Sequence, residues 1–271
     1  MNGASREALA AARERLDALT DSTSVDAAQL ADELAAVTAL LDREASLRRV
    51  LTDPAQPGEA KAELAQRLLD GQVSGATADL VAGMVRTRWS QPRDLVDAVE
   101  ELANIADLTA AEKANGLDDV EDELFRFGRI ATSNTELRSA LTDRAATASA
   151  KGELVRRLLG GRAHVTTERL VTRLVTAPRG RSLEAGIESL SKLAAARRDR
   201  LVAVVTSAVP LSDTQKRRLG AALAKVYGRP MHLNLDVDPA VLGGMRVQVG
   251  DEVINGSVGD RLEDAARRMA S

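Results

Sequence analysis

Apolar residues recur three and four positions apart through residues 4–200, the spacing that makes one apolar stripe on a helix. Leu9, Leu16 and Leu19 mark an opening helix over about 4–19. Leu30, Leu34, Val37 and Leu41 begin a second helix that should end near Leu51, before a loop carrying Pro54 and Pro57. A short helix through Leu64 and Leu68 closes at Gly71, and another runs from Thr77, read as its N-cap, through Leu80, Val81 and Val85. Val120, Leu124, Phe127 and Ala131 start the same series again, with an end near Leu141. The segments Asp94–Ala114 and Arg181–Val205 complete the helical part.

The period then changes to two. Leu201–Val209 is Val/Ala-rich and stops at Pro210, which reads as a strand. Ser212 with Gln215 makes a capping-box pattern for a helix over Asp213–Tyr227, closed by Gly228 and Pro230. Met231, Leu233, Leu235 and Val237 alternate as a half-buried strand does, and Gly243-Gly244 breaks the chain. Met245, Val247 and Val249 alternate again, and Gly250-Asp251 turns the chain into Glu252–Ile254. Asn255-Gly256 supplies a second turn, and Ser257 with Asp260 opens a last helix through Leu262, Ala266 and Met269.

The helical series is a repeat. Residues 30–85 and 120–175 align without a gap at an offset of 90, and twenty-one of the 56 positions are identical, where average composition gives roughly four by chance. Leu51-Thr52-Asp53 returns as Leu141-Thr142-Asp143, and Arg67-Leu68-Leu69 with Gly71 returns as Arg157-Leu158-Leu159 with Gly161. Two copies are too few for a solenoid, so the pattern is a tandem duplication. The segment Asp94–Ala114 both closes copy one and opens copy two. The fold class expected is mainly α with a small α/β C-terminal domain. Its parts are a helical bundle over 1–103, a second over 104–200, and a mixed strand–helix domain over 201–271.

Composition narrows the function. Only Trp89, Phe125, Phe127 and Tyr227 are aromatic, so Ala, Leu and Val must fill the cores. A net charge of −3 gives no field to draw nucleic acid or anionic lipid. The chain has no Cys, which excludes disulfides and thiolate metal sites. MNGASREALA has no signal-peptide apolar stretch, and no run of 18 apolar residues exists, so membrane association is expected only through a partner.

Candidate chemistry is sparse. No Gly-Lys occurs and G-x-G-x-x-G is absent, so no phosphate loop is expected. His164 and His232 stand alone and read as surface or strand residues rather than ligands. Asp236-Val237-Asp238 fails the Gly and Glu positions of a calcium loop, and Asn255-Gly256-Ser257 reads as a turn. The acidic run Asp118, Asp119, Glu121, Asp122 and Glu123 suits the first turn of a helix, with a docking patch for a basic partner as the other reading. Arg197, Arg198 and Arg200, with Lys216, Arg217 and Arg218, form solvated basic faces or a partner surface. No catalytic residue, cofactor site or metal site is expected.

The stretch from Met231 to Arg261 closely resembles the C-terminal signature of the delta subunit of F-type ATP synthases, whose mitochondrial counterpart is the oligomycin-sensitivity-conferring protein. The residues that carry it are Leu233, Val237-Asp238, Val241, Gly243-Gly244, Val247, Val249-Gly250-Asp251, Val253-Ile254, Gly256-Ser257-Val258 and Arg261-Leu262. The usual family member has one helical unit before this tail, so copy two takes the usual place and copy one is an addition. Extended forms of this kind are similar to those of high-GC Gram-positive bacteria. The resemblance implies a non-catalytic stator subunit at the cytoplasmic face of the cell membrane. Its partners would be the alpha, and possibly beta, subunits of the catalytic head and the b-type peripheral stalk subunit, with no nucleic acid. Leu95, Val99, Leu102, Ile187 and Leu190 are the candidate walls of a partner groove, each with bundle core as its plainer reading. A nucleic-acid-binding module, from the tail's strand–helix order beside Arg/Lys helices, and a free-standing helical scaffold are the alternatives.

Overall fold

A computed structural model describes residues 1–21, 25–198, 201–227, 231–238, 241, 244–249 and 252–255. They fall into two compact units, Met1–Ala195 and Ala196–Ser271. The fold is mainly α with a small strand–helix C-terminal unit.

The helical part holds α1 (Gly3–Asp21), α2 (Ala27–Arg43), α3 (Ala45–Thr52), α4 (Gly58–Leu69), α5 (Gly75–Arg86), α6 (Pro92–Lys113), α7 (Leu117–Ser133), α8 (Thr135–Thr142), α9 (Ala148–Leu159), α10 (Val165–Thr176) and α11 (Leu183–Arg198), the last of which runs past the end of the first unit. Helices α2 to α5 recur as α7 to α10 at the same offset of 90, boundary for boundary. Gly71 and Gly161 end equivalent turns with φ of 67° and 68°, a conformation that a Cβ would strain. Where the apolar spacing suggests one helix from Leu30 to Leu51, the structure has two. The chain breaks at Glu44 and, in copy two, at Asn134, whose side chain accepts from the Leu137 N–H at 2.9 Å and caps α8. The α5 cap is Ser74 rather than Thr77: Ser74 Oγ accepts from the Thr77 N–H.

One carboxylate fixes α2 on the start of α5. Ser74 Oγ donates to Glu33 Oε2 at 2.6 Å, and the Thr77 hydroxyl donates to the same oxygen. Burial works to raise the Glu33 carboxyl, but the hydrogen bonds from Ser74, Thr77 and Gln29 outweigh it and hold it below its ordinary value. Copy two repeats the device: Thr167 Oγ1 donates to Glu123 Oε2 at 2.6 Å, and the His164 N–H donates to the same carboxylate.

Helix α6 is shared. Leu95, Val96, Val99, Leu102, Ala103 and Ala106 belong to the core of copy one, while Leu108 and Ala111, further along the helix, belong to that of copy two. Helix α2 packs close along α6. The closing helix of copy two, α11, touches α7 where Gly128 faces Ile187, with a Cβ at Gly128 only 3.0 Å from Ile187 Cγ2.

The second unit contains β1 (Leu201–Ser207), α12 (Asp213–Tyr227), β2 (Met231–Val237), β3 (Met245–Val249) and β4 (Glu252–Asn255) in a sheet of order β2-β1-β3-β4. β1, α12 and β2 form a crossover with parallel pairing, Ala203 opposite Leu233. β3 runs antiparallel to β1, Val247 opposite Val205, and β4 antiparallel to β3, Val249 opposite Glu252. The capping box is present: Ser212 N–H donates to Gln215 Oε1 at 2.8 Å, and Gln215 N–H to Ser212 Oγ at 3.4 Å. Ala203, Val205, Leu223, Val247 and Val249 make the core, with Leu219 and Leu233 against it. The alternation in β2 outruns its cover. Leu233 is packed, but Leu235 and Val237 are 37% and 46% exposed. The last helix expected, from Ser257, lies outside the described residues.

Two outcomes are expected of this packing. Ile105→Pro breaks α6 between its two cores, at a cost of about 3 kcal/mol or more, and a thermal melt should show both bundles losing helix together. Glu33→Gln should cost roughly 1 kcal/mol at pH 7, allowing for the solvent exposure of this carboxylate. Because the Glu33 carboxyl is held low, its stabilisation is full above its ordinary value of 4.5 and is lost as pH falls through the lowered one. Urea midpoints of variant and wild type should therefore converge on acidification.

Candidate functional site

The densest charge chemistry among the described residues surrounds α6. Helix α10 carries Arg169 and Arg173 one turn apart, so both side chains leave the same face. Arg169 Nε meets Asp107 Oδ1 at 2.8 Å, and its Nη2 meets Asp32 Oδ1 at 2.5 Å. Arg173 Nη2 meets Asp107 Oδ2 at 2.6 Å, while its Nη1 donates to Asn104 Oδ1 at 3.0 Å. The two arginines of copy two thus tie α6 to α10, and Arg169 extends the tie to α2 of copy one.

Asp107 is 1% exposed. Burial pushes its carboxyl above the ordinary value, against the opposing charges and hydrogen bonds of Arg173 and Arg169. For Arg169, burial works to lower the guanidinium, but Asp32 and Asp107 together hold it above its ordinary range. The two directions agree once position is considered: Asp107 is sealed, whereas Arg169 reaches the exposed carboxylate of Asp32. Desolvation is the stronger effect at the sealed carboxylate, and pairing is the stronger effect at the arginine.

A second clasp lies further towards the N-terminus of α6. The turn between α10 and α11 places Arg179 at φ 48° and Gly180 at φ 82°. Arg179 Nη2 pairs with both Asp97, at 3.0 Å, and Glu100; Arg181 Nη2 pairs with Glu100 at 2.6 Å. Arg93 Nη2 donates to the Arg179 carbonyl at 2.7 Å. These groups line a cleft of about 280 Å³ together with Leu193. On the copy-one side Ser5 Oγ donates to Asp94 at 2.7 Å and Arg13 pairs with Glu101. The carboxylates of α6 are gripped from both copies, and the arrangement is suited to holding position. Among the described residues no group of three His, Asp or Glu could hold a metal, and no helix is long and apolar enough to cross a membrane.

The residues expected to wall a partner groove are interior. Leu95, Val99 and Leu102 are buried in the copy-one core, Ile187 and Leu190 in the copy-two core, so the structure does not bring the five together on an open surface. Of the tail signature, Val247 and Val249 are core, Leu233 packs against it, and Asp238 is exposed, its N–H donating to the Ser207 carbonyl at 3.0 Å. Val241 is half-buried, Gly244 has φ 81°, and Val253 and Ile254 lie in β4. Gly243, Gly250, Asp251, Gly256, Ser257 and Arg261 lie outside the described residues. In the acidic run, Asp118 and Asp119 do sit in the first turn of α7, but Glu123 is spent on the start of α10. His164 is no free surface histidine; it is the N-cap of α10. His232 is in β2. Arg197 is buried, and so does not belong to an open basic face.

Sequence reading missed the arginine clasps. They are departures from the repeat: Arg169 and Arg173 stand where copy one has Asp79 and Gly83. Charges that appear in only one copy were the available signal.

Comparison with known proteins places this architecture. The sequence model of the ATP synthase delta (OSCP) subunit family matches residues 105–269, which include most of copy two and most of the second unit. The chain is 83% identical over 271 residues to the ATP synthase subunit delta of Streptomyces coelicolor, covering 100% of this chain and 99% of that one. It is 81% identical to that of Streptomyces avermitilis over 100% of this chain and 99% of that one, and 48% identical to that of Thermobifida fusca over the full length of both. The extra helical copy is therefore within the aligned length of these relatives, and the chain belongs to the ATP synthase delta (OSCP) subunit family.

Proposed function

We propose that this chain is a non-catalytic stator subunit, one that links the b-type peripheral stalk to the top of the alpha/beta head at the cytoplasmic face of the cell membrane. It would associate with the membrane peripherally, through the complex. The single observation that supports the reading best is α6, a helix common to two cores and clasped through its carboxylates from both sides. A subunit that resists torque needs joints that do not bend, and interlocked ion pairs around a shared helix give such a joint.

The parts divide as helical copy one over 1–103, copy two over 104–200 and the stalk-binding domain over 201–271. Copy two, in the family's usual place before the tail, grips alpha subunits, and copy one braces the stalk or the flank of the head. In this reading Leu95, Val99, Leu102, Ile187 and Leu190 act by spacing the helices whose outer faces meet partners. The exposed Leu235 and Val237 of β2 give the tail domain an apolar strip for a stalk helix.

The test uses membranes stripped of this subunit. Adding the full-length chain should restore ATP-driven proton pumping relative to ATP hydrolysis. The Arg169→Gln/Arg173→Gln variant should still bind alpha N-terminal peptides and b protein, yet restore less pumping per ATP. A wild-type chain that binds neither partner, or pumping that is indifferent to its addition, would sink the stator reading. The clasp itself is tested by Arg173→Met, which leaves the sealed Asp107 with one partner. This should cost roughly 3 kcal/mol at pH 7. The cost should shrink on acidification, because a protonated Asp107 no longer needs the second arginine; equilibrium unfolding at pH 7 and pH 5 measures both.

A further inference from the structure

We propose that the cleft beside α6 binds a small oxyanion, free phosphate, with Arg179 as its principal donor. The Arg179 side chain is 3% exposed, and its Nε and Nη1 have no hydrogen-bond partner among the described residues. Buried N–H groups are nearly always paired, and a charged donor left without an acceptor is among the costliest exceptions. Nη2 alone is engaged, by Asp97 and Glu100 together. The backbone is also held in an uncommon form. A non-glycine residue at φ 48° persists only where its surroundings fix it, and such residues cluster at ligand clamps. Here the Arg93 side chain fixes it, by donating to the Arg179 carbonyl. Ninety positions earlier copy one has Trp89, whose ring N–H is satisfied by the Met84 carbonyl at 2.8 Å. This corner of copy two thus departs from the repeat towards unspent donors.

Charge and size select the ligand. Arg93, Arg179 and Arg181 line the cleft with Asp97, Glu100 and Glu101. The carboxylates are largely spent: Glu100 gives one oxygen to Arg179 and the other to Arg181, and Glu101 accepts from Arg13. With Arg13 counted, four arginines stand against three carboxylates, so the surplus is positive. An oxyanion carries several acceptor oxygens and can meet two guanidinium groups from different directions, which a single-atom ion does poorly. The volume of about 280 Å³ lies below the ~300–1,000 Å³ of pockets for larger ligands, so the free ion fits and a bulky carrier does not. Nε and Nη1 are closed off from solvent, so the guanidinium must turn to reach a ligand. Asp97 is the partner that yields: it lies 3.0 Å from Nη2 and its side chain is 40% exposed, while Glu100 is buried. An entering phosphate releases Asp97 to water, and Arg179 swings on Glu100 to present an unused N–H. Arg93 and Arg181, both on the exposed side of the cleft, close on the ion from the rim.

The experiment is a titration of the full-length chain with inorganic phosphate at constant ionic strength, followed by NMR at the Arg179 side-chain Nε–H and the Gly180 amide, with chloride as the parallel arm. Both resonances should move saturably in the millimolar range with phosphate and stay in place with chloride. Arg179→Gln should weaken the binding about ten-fold or more, the size of a lost charged hydrogen bond. Asp97→Asn, which removes the competing charge, should tighten it several-fold, a gain that damaged folding does not produce. No saturation by phosphate, or an equal response to chloride, overturns the inference. So does undiminished binding by Arg179→Gln, or unchanged or weaker binding by Asp97→Asn.

Discussion

One helix has to satisfy two apolar cores at once. The leucines and valines in the first half of α6 close the copy-one bundle, and Leu108 and Ala111 seed the next. A helix with this duty cannot present an ordinary polar face along its length, and fourteen of its residues are buried. Its polar groups, Glu100, Asn104 and Asp107 among them, lie in the interior and must be satisfied there. The arginines of α10 and of the turn after it meet that need. The joint between the copies is thus a consequence of sharing a helix.

Such pairs contribute less to stability than their number suggests, because each buried charge is desolvated first. At Asp107 burial is the largest influence and pushes the carboxyl above its ordinary value in spite of two guanidinium groups. What the pairs supply is register. A leucine seam tolerates a slide or a small rotation, whereas Arg169, held by Asp107 on one side and Asp32 on the other, fits one relation of α2, α6 and α10.

Much of the architecture was legible because its signals are periodic. The stripe of Leu30, Leu34, Val37 and Leu41 and its echo at Val120, Leu124, Phe127 and Ala131 are buried in the two cores. The capping box of Ser212 and Gln215 starts α12 at Asp213. What failed were readings that depend on neighbours distant in sequence. The break at Glu44 interrupts no apolar pattern. Cover over Leu235 and Val237 depends on where α12 lies, which alternation within β2 does not encode. Leu95 and Ile187 look alike whether they face a partner or their own bundle. The hydrogen bonds of Glu33 and Glu123 to the starts of α5 and α10 could have been found, because Asp32-Glu33-Leu34 and Thr77 recur as Asp122-Glu123-Leu124 and Thr167. The arginine clasps had the opposite signature, being charges present in one copy alone.

The shared helix also changes what counts as one repeat. Two separate six-helix bundles would need twelve helices, but among the described residues between Gly3 and Arg198 the chain builds both from eleven. The genetic module is therefore five helices long, and every new module borrows its first helix from the one before. Such a gene can grow by in-frame insertion of a whole module without a linker having to be invented. Either module can be lost only if α6 stays behind, because a deletion that takes the shared helix with one bundle strips a wall from the other.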